Sequence, residues 1–390
     1  NMAPRGTLTE YLTLCLNTLC GRWLRAGEPL PNPGVLTPAT HPRAQPIAPV
    51  PAWGFGERLR VRGFTNTAAG LPTAALADEI LLEGSGQVKA LICVGGNPVA
   101  AWPDQQRTAA AMKRLELLVS LDPEMSATAK LAHYVIAPRL SFEQPGITLP
   151  VETLSAYAYT MGYEVPYAQY TPQLVDPPAG SDVIEEWQFF FELARSMGLA
   201  LSLDSAFPWI AGGQHAAPVA LDMTHAPTTD ALLGILTRGS RIPLAEVRNH
   251  PHGHVFDDVT VAVAPKDPAC TAKLELADPV MLAELKEVAD EAGVTAPGYA
   301  FRLIPRRLPD VYNSYGRSIA RLVRKQRHNP AFLHPDDLRE IGVAPGDMVE
   351  ILSRHDSILG VAEADEGLRR GVVSMTHAFG DLHGANDEAE

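Results

Sequence analysis

The stretch from 88 to 138 alternates short apolar runs with segments of helical spacing, and this pattern restricts the fold more than any other feature of the chain. The apolar runs cover Lys89–Val94, Leu115–Leu121 and His133–Ala137, with predicted helices at 104–114 and Ser126–Leu131 between them. Strands that alternate with helices form a parallel sheet that is covered on both faces. We therefore predict an α/β domain whose ligand site lies at the carboxyl ends of its strands.

Two of these strand ends carry residues that suit a nucleotide. Gly95, Gly96 and Asn97 follow the first strand. Glycines there let a ligand approach the backbone, and the start of the next helix favours an anion; the alternative is a tight structural turn. Asp122 ends the next strand, where doubly wound folds place an acceptor for ribose or base hydrogens; the alternative is a cap for the helical segment that follows. No G-x-G-x-x-G motif is present, which argues against a nicotinamide site.

Helices and irregular segments are expected on both sides of this domain. A helix is predicted over 7–24, with Thr7 and Glu10 as a capping box. Eight prolines between Pro29 and Pro51 exclude regular structure and predict a long surface excursion. Asp182 is read as the N-cap of a helix over 183–197. The residues of that helix predicted to face the core are Val183, Trp187, Phe190, Ala194 and Met197. Further helices are expected at 73–83, 228–238 and 279–292.

The pattern of apolar residues and glycines in the sequence changes from about residue 298. Short β-like segments at Val349–Ser353, Ile358–Ala362 and Val372–Met375 alternate with tight glycine turns, which predicts a small β-barrel. One helix is expected at 336–341, capped by Asp336. The predicted fold class is thus α/β, with Rossmann-like parallel-sheet domains and a C-terminal barrel. The predicted parts are 1–60 (N-terminal helix and proline-rich excursion), 61–140 (α/β unit), 141–297 (second α/β unit and helical linker) and 298–390 (barrel, truncated at its C-terminus).

Charge and cysteine usage exclude several classes of protein. A net charge of −13 argues against binding a nucleic-acid backbone. No run of about 18 apolar residues predicts a membrane span. The four cysteines form no C-x2-C pair, so neither an iron–sulfur cluster nor a structural zinc site is predicted within the chain. We expect all four to be reduced thiols, as in a cytoplasmic protein.

Two clusters of basic residues invite a functional interpretation. The His250–His254 segment contains three histidines that could bind zinc on a strand, but its proline and glycine favour a loop. The Arg302–Arg327 segment holds eight basic residues and one acid. It is either a solvated or interdomain run, or it contacts a pyrophosphate through Arg306, Arg307 and Arg317, because guanidinium groups bind phosphate oxygens in pairs. No residue is a convincing nucleophile or general base, so the chemistry is expected to come from a cofactor.

Several stretches together resemble the dimethyl-sulfoxide-reductase superfamily of molybdopterin enzymes, which includes formate dehydrogenases and nitrate reductases. The resemblance covers nearly the whole chain in family order. Its parts are Asn1–Gly6, the following helix with Gly21–Gly27, ALICVGGNP (90–98), LVSLDPEMSATAKLAHYVIAPRLSFEQPG (118–146), GSDVIEEWQFFFELARSMG (180–198), RHNPAFLHPDDLREIGVAPGDMVEI (327–351) and GVVSMTHAFG (371–380).

The resemblance implies two related nucleotide-type α/β domains and a double-psi barrel around two copies of molybdopterin guanine dinucleotide, which hold molybdenum or tungsten. Met2 departs from the family, since a polar residue is common at its position. The metal ligand and a 4Fe–4S cluster are expected before residue 1. The cofactor contacts implied are Met2, Gly95, Gly96, Asn97, Leu121, Asp122, Asp182, the Arg306–Tyr315 stretch with Arg306, Arg307 and Ser314, then Arg317, Asn329 and His377.

The activity implied by the resemblance is two-electron redox chemistry of the formate dehydrogenase or nitrate reductase kind, with this fragment inactive alone. The alternative is a non-catalytic scaffold subunit of a respiratory-type complex. A nicotinamide-dependent dehydrogenase is disfavoured by the missing glycine motif. The partners implied are a small-molecule substrate and an electron-transfer subunit, without nucleic acid or a membrane span. A cytoplasmic location is expected, with the periplasm as the alternative because an export signal would lie upstream.

Overall fold

The computed structural model of the protein describes residues 5–47, 53–67, 70–154, 162–204, 217–291, 298–309, 311–317, 319–322 and 328–380. The chain forms two compact units, each built from two separate segments. Unit 1 combines Asn1–Pro49 with Pro138–Ala292, and unit 2 combines Val50–Ala137 with Gly293–Glu390. Within the described ranges, no helix is both long enough and apolar enough to cross a membrane.

The regular elements are short, and both helices and strands occur in each unit. The helices are α1 Gly6–Leu19, α2 Leu76–Leu81, α3 Pro98–Ala101, α4 Gln105–Arg114, α5 Leu149–Thr153, α6 Glu186–Ser196, α7 Thr229–Leu236, α8 Leu244–Val247, α9 Pro279–Glu291 and α10 Pro335–Ile341. The strands are β1 Trp53–Arg58, β2 Thr65–Thr67, β3 Ala90–Val94, β4 Leu117–Leu121, β5 Tyr134–Ile136, β6 Gly146–Ile147, β7 Tyr167–Ala168, β8 Tyr170–Thr171, β9 Ser202–Leu203, β10 Val219–Ala220, β11 His254–Val255, β12 Arg302–Arg306, β13 Pro330–Leu333, β14 Met348–Leu352, β15 Ser357–Ala364 and β16 Val372–Thr376.

The alternating stretch of unit 2 forms a parallel sheet in the order β3-β4-β5. One face of the sheet packs against α2 and α4, where Ile80, Met112 and Leu118 are fully buried. The connection after β4 is a 3-10 turn, Ala129–Leu131, rather than the helix predicted from residue 126. The predicted alternation of strands and helices is therefore present, and it places the loops after β3 and β4 at one edge of the sheet.

The C-terminal part of unit 2 forms a five-stranded sheet in the order β12-β16-β13-β15-β14. The pairs β12–β16 and β13–β15 are parallel, and the pairs β13–β16 and β14–β15 are antiparallel. Ala331, Leu333 and Val373 belong to its buried core. Among the described residues β12 and β14 remain edge strands, so the sheet is not the closed barrel that the sequence predicted.

The helix α10 is anchored to the start of β16 by a buried carboxylate. Its N-cap is His334, whose side chain accepts a hydrogen bond from the Asp336 amide, so the prediction that Asp336 is the cap was wrong. The buried Asp337 accepts hydrogen bonds from Arg370 Nε at 2.8 Å and from the Gly371 amide at 2.7 Å. Burial alone would raise the pKa of Asp337, but these two donors outweigh it and leave that pKa lowered.

The lowered pKa of Asp337 predicts an acid-dependent loss of stability. The carboxylate contributes stability fully above its unfolded pKa of about 3.9 and loses that contribution as the pH falls through the lower folded value. We expect Asp337→Asn to be less stable near neutral pH and to show a shallower fall in unfolding free energy between about pH 5 and pH 2. Urea unfolding at a series of pH values measures this. Asp336→Asn, at a half-exposed carboxylate of the same helix, is the control, and an unchanged pH slope in Asp337→Asn would contradict the expectation.

The first helix of unit 1 begins and ends earlier than its sequence predicted. Arg5 is the N-cap in a left-handed conformation with φ 64°, and no side chain caps the helix, so Thr7 and Glu10 do not form the predicted capping box. The helix ends at Leu19 because Gly21 adopts φ 64°, which closes the last turn. The residues to 24 therefore lie outside α1.

The proline-rich segment has no long regular element, as its sequence predicted, but it is not purely a surface excursion. Val35 and Leu36 are almost completely buried in a core cluster with residues of α5, α7 and α8. Their amides and that of Thr37 donate hydrogen bonds to the buried carboxylate of Glu152, with N–O distances of 2.8–3.0 Å. The carboxylate of Glu152 thus accepts the backbone hydrogen bonds that a helix or strand would otherwise accept.

The helix α6 is capped and oriented differently from the sequence interpretation. Glu185 is the N-cap, and it forms a reciprocal capping box with Gln188. Asp182 lies three residues before Glu185, too early to cap the first turn. The buried positions of the helix are Phe191 and Ala194, whereas Phe190 and Met197 are exposed. The predicted core stripe was wrong for these two residues because Phe191 takes the buried position next to Phe190, and Met197 is the C-cap, beyond the last helical residue.

Candidate functional site

The loop after β3 is held against the end of β4 through the backbone. The Gly95 amide donates to the Leu121 carbonyl at 2.9 Å. Gly95 has φ 56°, a conformation that other residues rarely adopt, and a Cβ placed on it would meet nothing within 4 Å. Gly96 follows and is only partly buried. The backbone at this strand end is therefore approachable from solvent, as the predicted role of the two glycines requires.

Asn97 is the N-cap of α3, and its side chain is fixed by one partner residue. The Asn97 Oδ1 atom accepts hydrogen bonds from the Thr128 amide at 3.1 Å and from Thr128 Oγ1 at 2.9 Å. Thr128 is fully buried and comes from the loop after β4. The loops that follow two neighbouring parallel strands are thus joined through their side chains.

Asp122 lies at the end of β4 and is buried, with 3% of its surface exposed. Its Oδ1 atom accepts a hydrogen bond from the Glu124 amide at 3.0 Å, and its Oδ2 atom accepts one from Ser126 Oγ at 2.7 Å. The Tyr315 hydroxyl donates to Oδ1 at 3.2 Å. This last bond joins positions 193 residues apart, so it brings the C-terminal segment of unit 2 to the strand end.

The negative charge of Asp122 affects the pKa of a buried thiol on the neighbouring strand. Burial raises the pKa of Cys93 to about 11, and the negative charge of Asp122 adds to the rise. The thiol therefore stays protonated at neutral pH and behaves as a small apolar core residue. Cys93 is a packing residue of the sheet rather than a nucleophile.

The predicted pyrophosphate contacts all have partners within the C-terminal segment. Arg306 forms an ion pair with Asp365 and stacks on the Phe332 ring at 3.9 Å. Arg307 donates to the side-chain oxygen of Asn313. Among the described residues, no hydrogen bond joins either arginine to the loops after β3 and β4.

Arg317 and the remaining predicted contacts lie near the end of β16. Arg317 donates to the Gly380 carbonyl at 3.0 Å. Asn329 Nδ2 donates to the Thr376 carbonyl at 3.2 Å, and its buried Oδ1 atom has no hydrogen-bond partner in the described part of the chain. His377 follows β16 and is exposed, while Ser314 is half-buried near Tyr315.

Of the two other predicted contacts, one belongs to unit 1 and the other lies outside the described residues. Asp182 belongs to unit 1, where its side chain is exposed. Met2 lies outside the described residues. The histidine segment also lies in unit 1, where the His250 and His254 rings stack 4.2 Å apart. In the described ranges, no group of three histidine, cysteine or acidic side chains could hold a metal ion.

Comparison with known proteins shows a domain match and several similar proteins. Residues 301–389 match the family described as "Molydopterin dinucleotide binding domain". The F420-dependent formate dehydrogenase subunit alpha of Methanocaldococcus jannaschii is 23% identical over 325 residues, which cover 79% of this chain and 41% of that protein. The trimethylamine-N-oxide reductase of Haemophilus influenzae is 20% identical over 353 residues, which cover 80% of this chain and 39% of that protein. The C-terminal part of the chain thus matches a molybdopterin dinucleotide-binding domain, and about four fifths of the chain is similar to parts of these two oxidoreductases.

The chain spans about two fifths of the length of these two relatives. Among solved structures, the acetylene hydratase from Pelobacter acetylenicus matches with a TM-score of 0.48 and 19% identity, over 78% of this chain and 39% of that one.

The sequence analysis missed the residues that hold the side chains at the strand ends. Thr128 and Ser126 fix Asn97 and Asp122, and neither was singled out. A signal was present, because Ser126 and Thr128 are hydroxyl residues in the loop directly after β4, next to Asp122. Tyr315 fell at the end of a predicted contact stretch, but nothing in the sequence pointed to Asp122 as its partner.

Proposed function

We propose that this chain is the cofactor-holding part of a molybdenum or tungsten oxidoreductase with two-electron chemistry of the formate dehydrogenase or nitrate reductase kind. The observation that carries the proposal is the hydrogen bond from Tyr315 to Asp122, which joins the strand end of the parallel sheet to the segment matched as a dinucleotide-binding domain. The names of the relatives from Methanocaldococcus jannaschii and Haemophilus influenzae support redox activity.

The strand-end residues fit the guanine end of molybdopterin guanine dinucleotide. The Asp122 carboxylate has two oxygens, which match the N1–H and N2–H donors on one edge of guanine. Those oxygens offer about four acceptor directions, of which three are used by protein donors. A base that binds both oxygens replaces at least one of these donors. Tyr315 forms the longest of the three bonds and belongs to a different segment. We therefore expect its hydrogen bond to Asp122 to break when the base binds.

The remaining predicted residues suit other parts of the same cofactor. Gly95, Gly96 and Leu121 would offer backbone near the ribose. The unpaired Oδ1 of Asn329 fits a donor group of a ligand, since a buried acceptor without a partner is costly. The other proposed contacts of this copy of the cofactor are Arg306, Arg307, Ser314, Arg317 and His377. Asp182 and Met2 are proposed contacts of the second copy of the cofactor.

The bound metal supplies the two-electron chemistry, and this chain binds, orients and shields the cofactor. We also propose the finer domain organisation: a Rossmann-like unit over 61–140, a second α/β unit over 141–297 and a dinucleotide-binding β-domain over 298–390, following the 1–60 part. A 4Fe–4S cluster and an electron-transfer subunit complete the proposed enzyme. The relative from Methanocaldococcus jannaschii, named as a subunit alpha, supports such a partner. The proposed location is cytoplasmic.

Metal and nucleotide analysis tests the proposed function. The full-length protein is expected to carry molybdenum or tungsten and to release GMP on acid hydrolysis. Elemental analysis and chromatography of the released nucleotide measure both. A protein that carries neither metal nor GMP would overturn the proposal, and release of AMP instead would overturn the assignment of guanine.

A further inference from the structure

Asn97 occupies a helix N-cap but does not cap its helix. An asparagine at this position normally accepts a hydrogen bond from the second or third amide of the helix. In this protein the second amide, that of Val99, donates instead to Thr128 Oγ1 at 3.0 Å, and Asn97 makes no capping bond. Thr128, from a different loop, performs the capping that Asn97 would otherwise provide. The asparagine side chain is thereby released from its usual structural role.

The direction of each hydrogen bond in this cluster follows from the chemistry of its members. The Val99 amide can only donate, so Thr128 Oγ1 accepts from it and has its own proton for another acceptor. That proton goes to Asn97, which also receives the Thr128 amide proton on the same atom. Two donors directed at one atom require it to be the amide oxygen, so the orientation of the Asn97 amide is fixed.

The fixed orientation leaves the amide nitrogen of Asn97 as the group that faces outward. Thr128 is fully buried, whereas Asn97 is only half-buried. No residue in the described part of the chain accepts a hydrogen bond from Asn97 Nδ2. The strand ends therefore present a donor at Asn97 beside an acceptor at Asp122.

We propose that Thr128 is a positioning residue that holds the Asn97 amide so that an N–H group of Nδ2 donates to an acceptor oxygen of the nucleotide. The ligand group facing Asn97 is then a carbonyl, ribose or phosphate oxygen, and never a donor. This inference rests on the proposed function, because the ligand is the guanine nucleotide portion of the cofactor. A threonine needed only for packing would not have to replace the cap of a helix that already begins with asparagine.

Binding of guanosine diphosphate to the full chain tests the role of Thr128. We expect Thr128→Val to weaken GDP binding about tenfold, because removal of one oriented charged or polar contact has that order of effect. Thr128→Ser keeps the hydroxyl and is expected to stay within about twofold of the wild type. The matched control is Thr108→Val: Thr108 is also fully buried in unit 2, but its hydroxyl bonds only the Pro103 carbonyl. Calorimetry measures affinity, and circular dichroism confirms folding.

A double-mutant cycle separates positioning from a general structural effect. If Thr128 acts through Asn97, the Asn97→Ala/Thr128→Val double variant binds GDP no more weakly than Asn97→Ala alone. Additive losses, or a Thr128→Val affinity equal to that of Thr108→Val, would overturn the proposal.

A second measurement applies even if the wild type binds no GDP, a result that would count against the proposed function. NMR of asparagine-labelled protein is then expected to show a dispersed Asn97 side-chain amide signal in wild type and Thr128→Ser. In Thr128→Val the signal is expected to move to the position of a free side chain. An unchanged Asn97 signal in Thr128→Val would overturn the positioning role directly.

Discussion

An Asp122→Asn variant is expected to bind guanosine diphosphate about 100-fold more weakly and to gain affinity for xanthosine diphosphate. The carboxylate accepts at both oxygens, whereas asparagine accepts at one atom and donates at the other. Its donor would face the N2–H group of guanine, which is unfavourable, but would pair with the 2-oxo group that xanthine has there. The effect is large because hydrogen bonds to charged groups contribute about 1.5–3 kcal/mol each and the site is buried.

Titration of the full chain with GDP, xanthosine diphosphate and ADP measures this exchange of base preference. Asp347→Asn is a suitable control, because Asp347 is an exposed carboxylate of unit 2 that accepts the Ala344 amide at 2.8 Å. It should leave all three affinities unchanged. Retention of GDP binding by a folded Asp122→Asn protein, without any xanthosine diphosphate binding, would exclude Asp122 as the guanine acceptor. Loss of binding to every nucleotide would instead indicate that the strand end is distorted.

The sequence was most informative where local pattern and tertiary structure agree. The apolar runs before Gly95 and Asp122 could be recognised as neighbouring parallel strands because helical spacing separates them. Parallel strands end at the same edge of the sheet, so the nearness of these two residues followed from topology. The family resemblance added the C-terminal segment, and the Tyr315 contact with Asp122 agrees with it.

The sequence was least informative where one side chain competes with another for the same role. Asp182 and Glu185 are both reasonable caps for α6, and the choice depends on Gln188 returning the hydrogen bond. Arg306 could pair with a phosphate or with Asp365, and the carboxylate, which follows β15, comes within reach through the strand order β12-β16-β13-β15. The second outcome depends on contacts between distant parts of the chain, which short-range patterns do not encode.

Burial of the proline-rich segment shows the same dependence on a distant partner. Prolines correctly excluded helix and strand, and segments without regular structure lie on the surface because their amides need partners. Glu152, more than 110 residues away, supplies those partners to three successive amides, so Val35 and Leu36 can be buried. No spacing rule links a glutamate of α5 to this loop.

Glu152→Ala is therefore expected to cause the largest loss of stability of any single substitution in unit 1. The carboxylate accepts hydrogen bonds from the amides of Val35, Leu36 and Thr37, and from the Thr37 hydroxyl at 2.5 Å. Alanine leaves these buried donors without an acceptor, at about 1–3 kcal/mol for each donor left unsatisfied. We expect a total loss of about 3–5 kcal/mol, a large part of the stability of an ordinary domain.

Glu152→Gln distinguishes loss of the acceptor from loss of packing. Glutamine has the same shape, and its single oxygen can keep the three bonds made by Oε1, while its amide nitrogen faces the Leu36 amide as a second donor. We therefore expect about half the effect of alanine in urea unfolding. Glu164→Ala, an exposed glutamate of the same unit, should change little. If glutamine were as stable as wild type and alanine only slightly less so, the loop would be held by burial of Val35 and Leu36, and the carboxylate would be incidental to the fold.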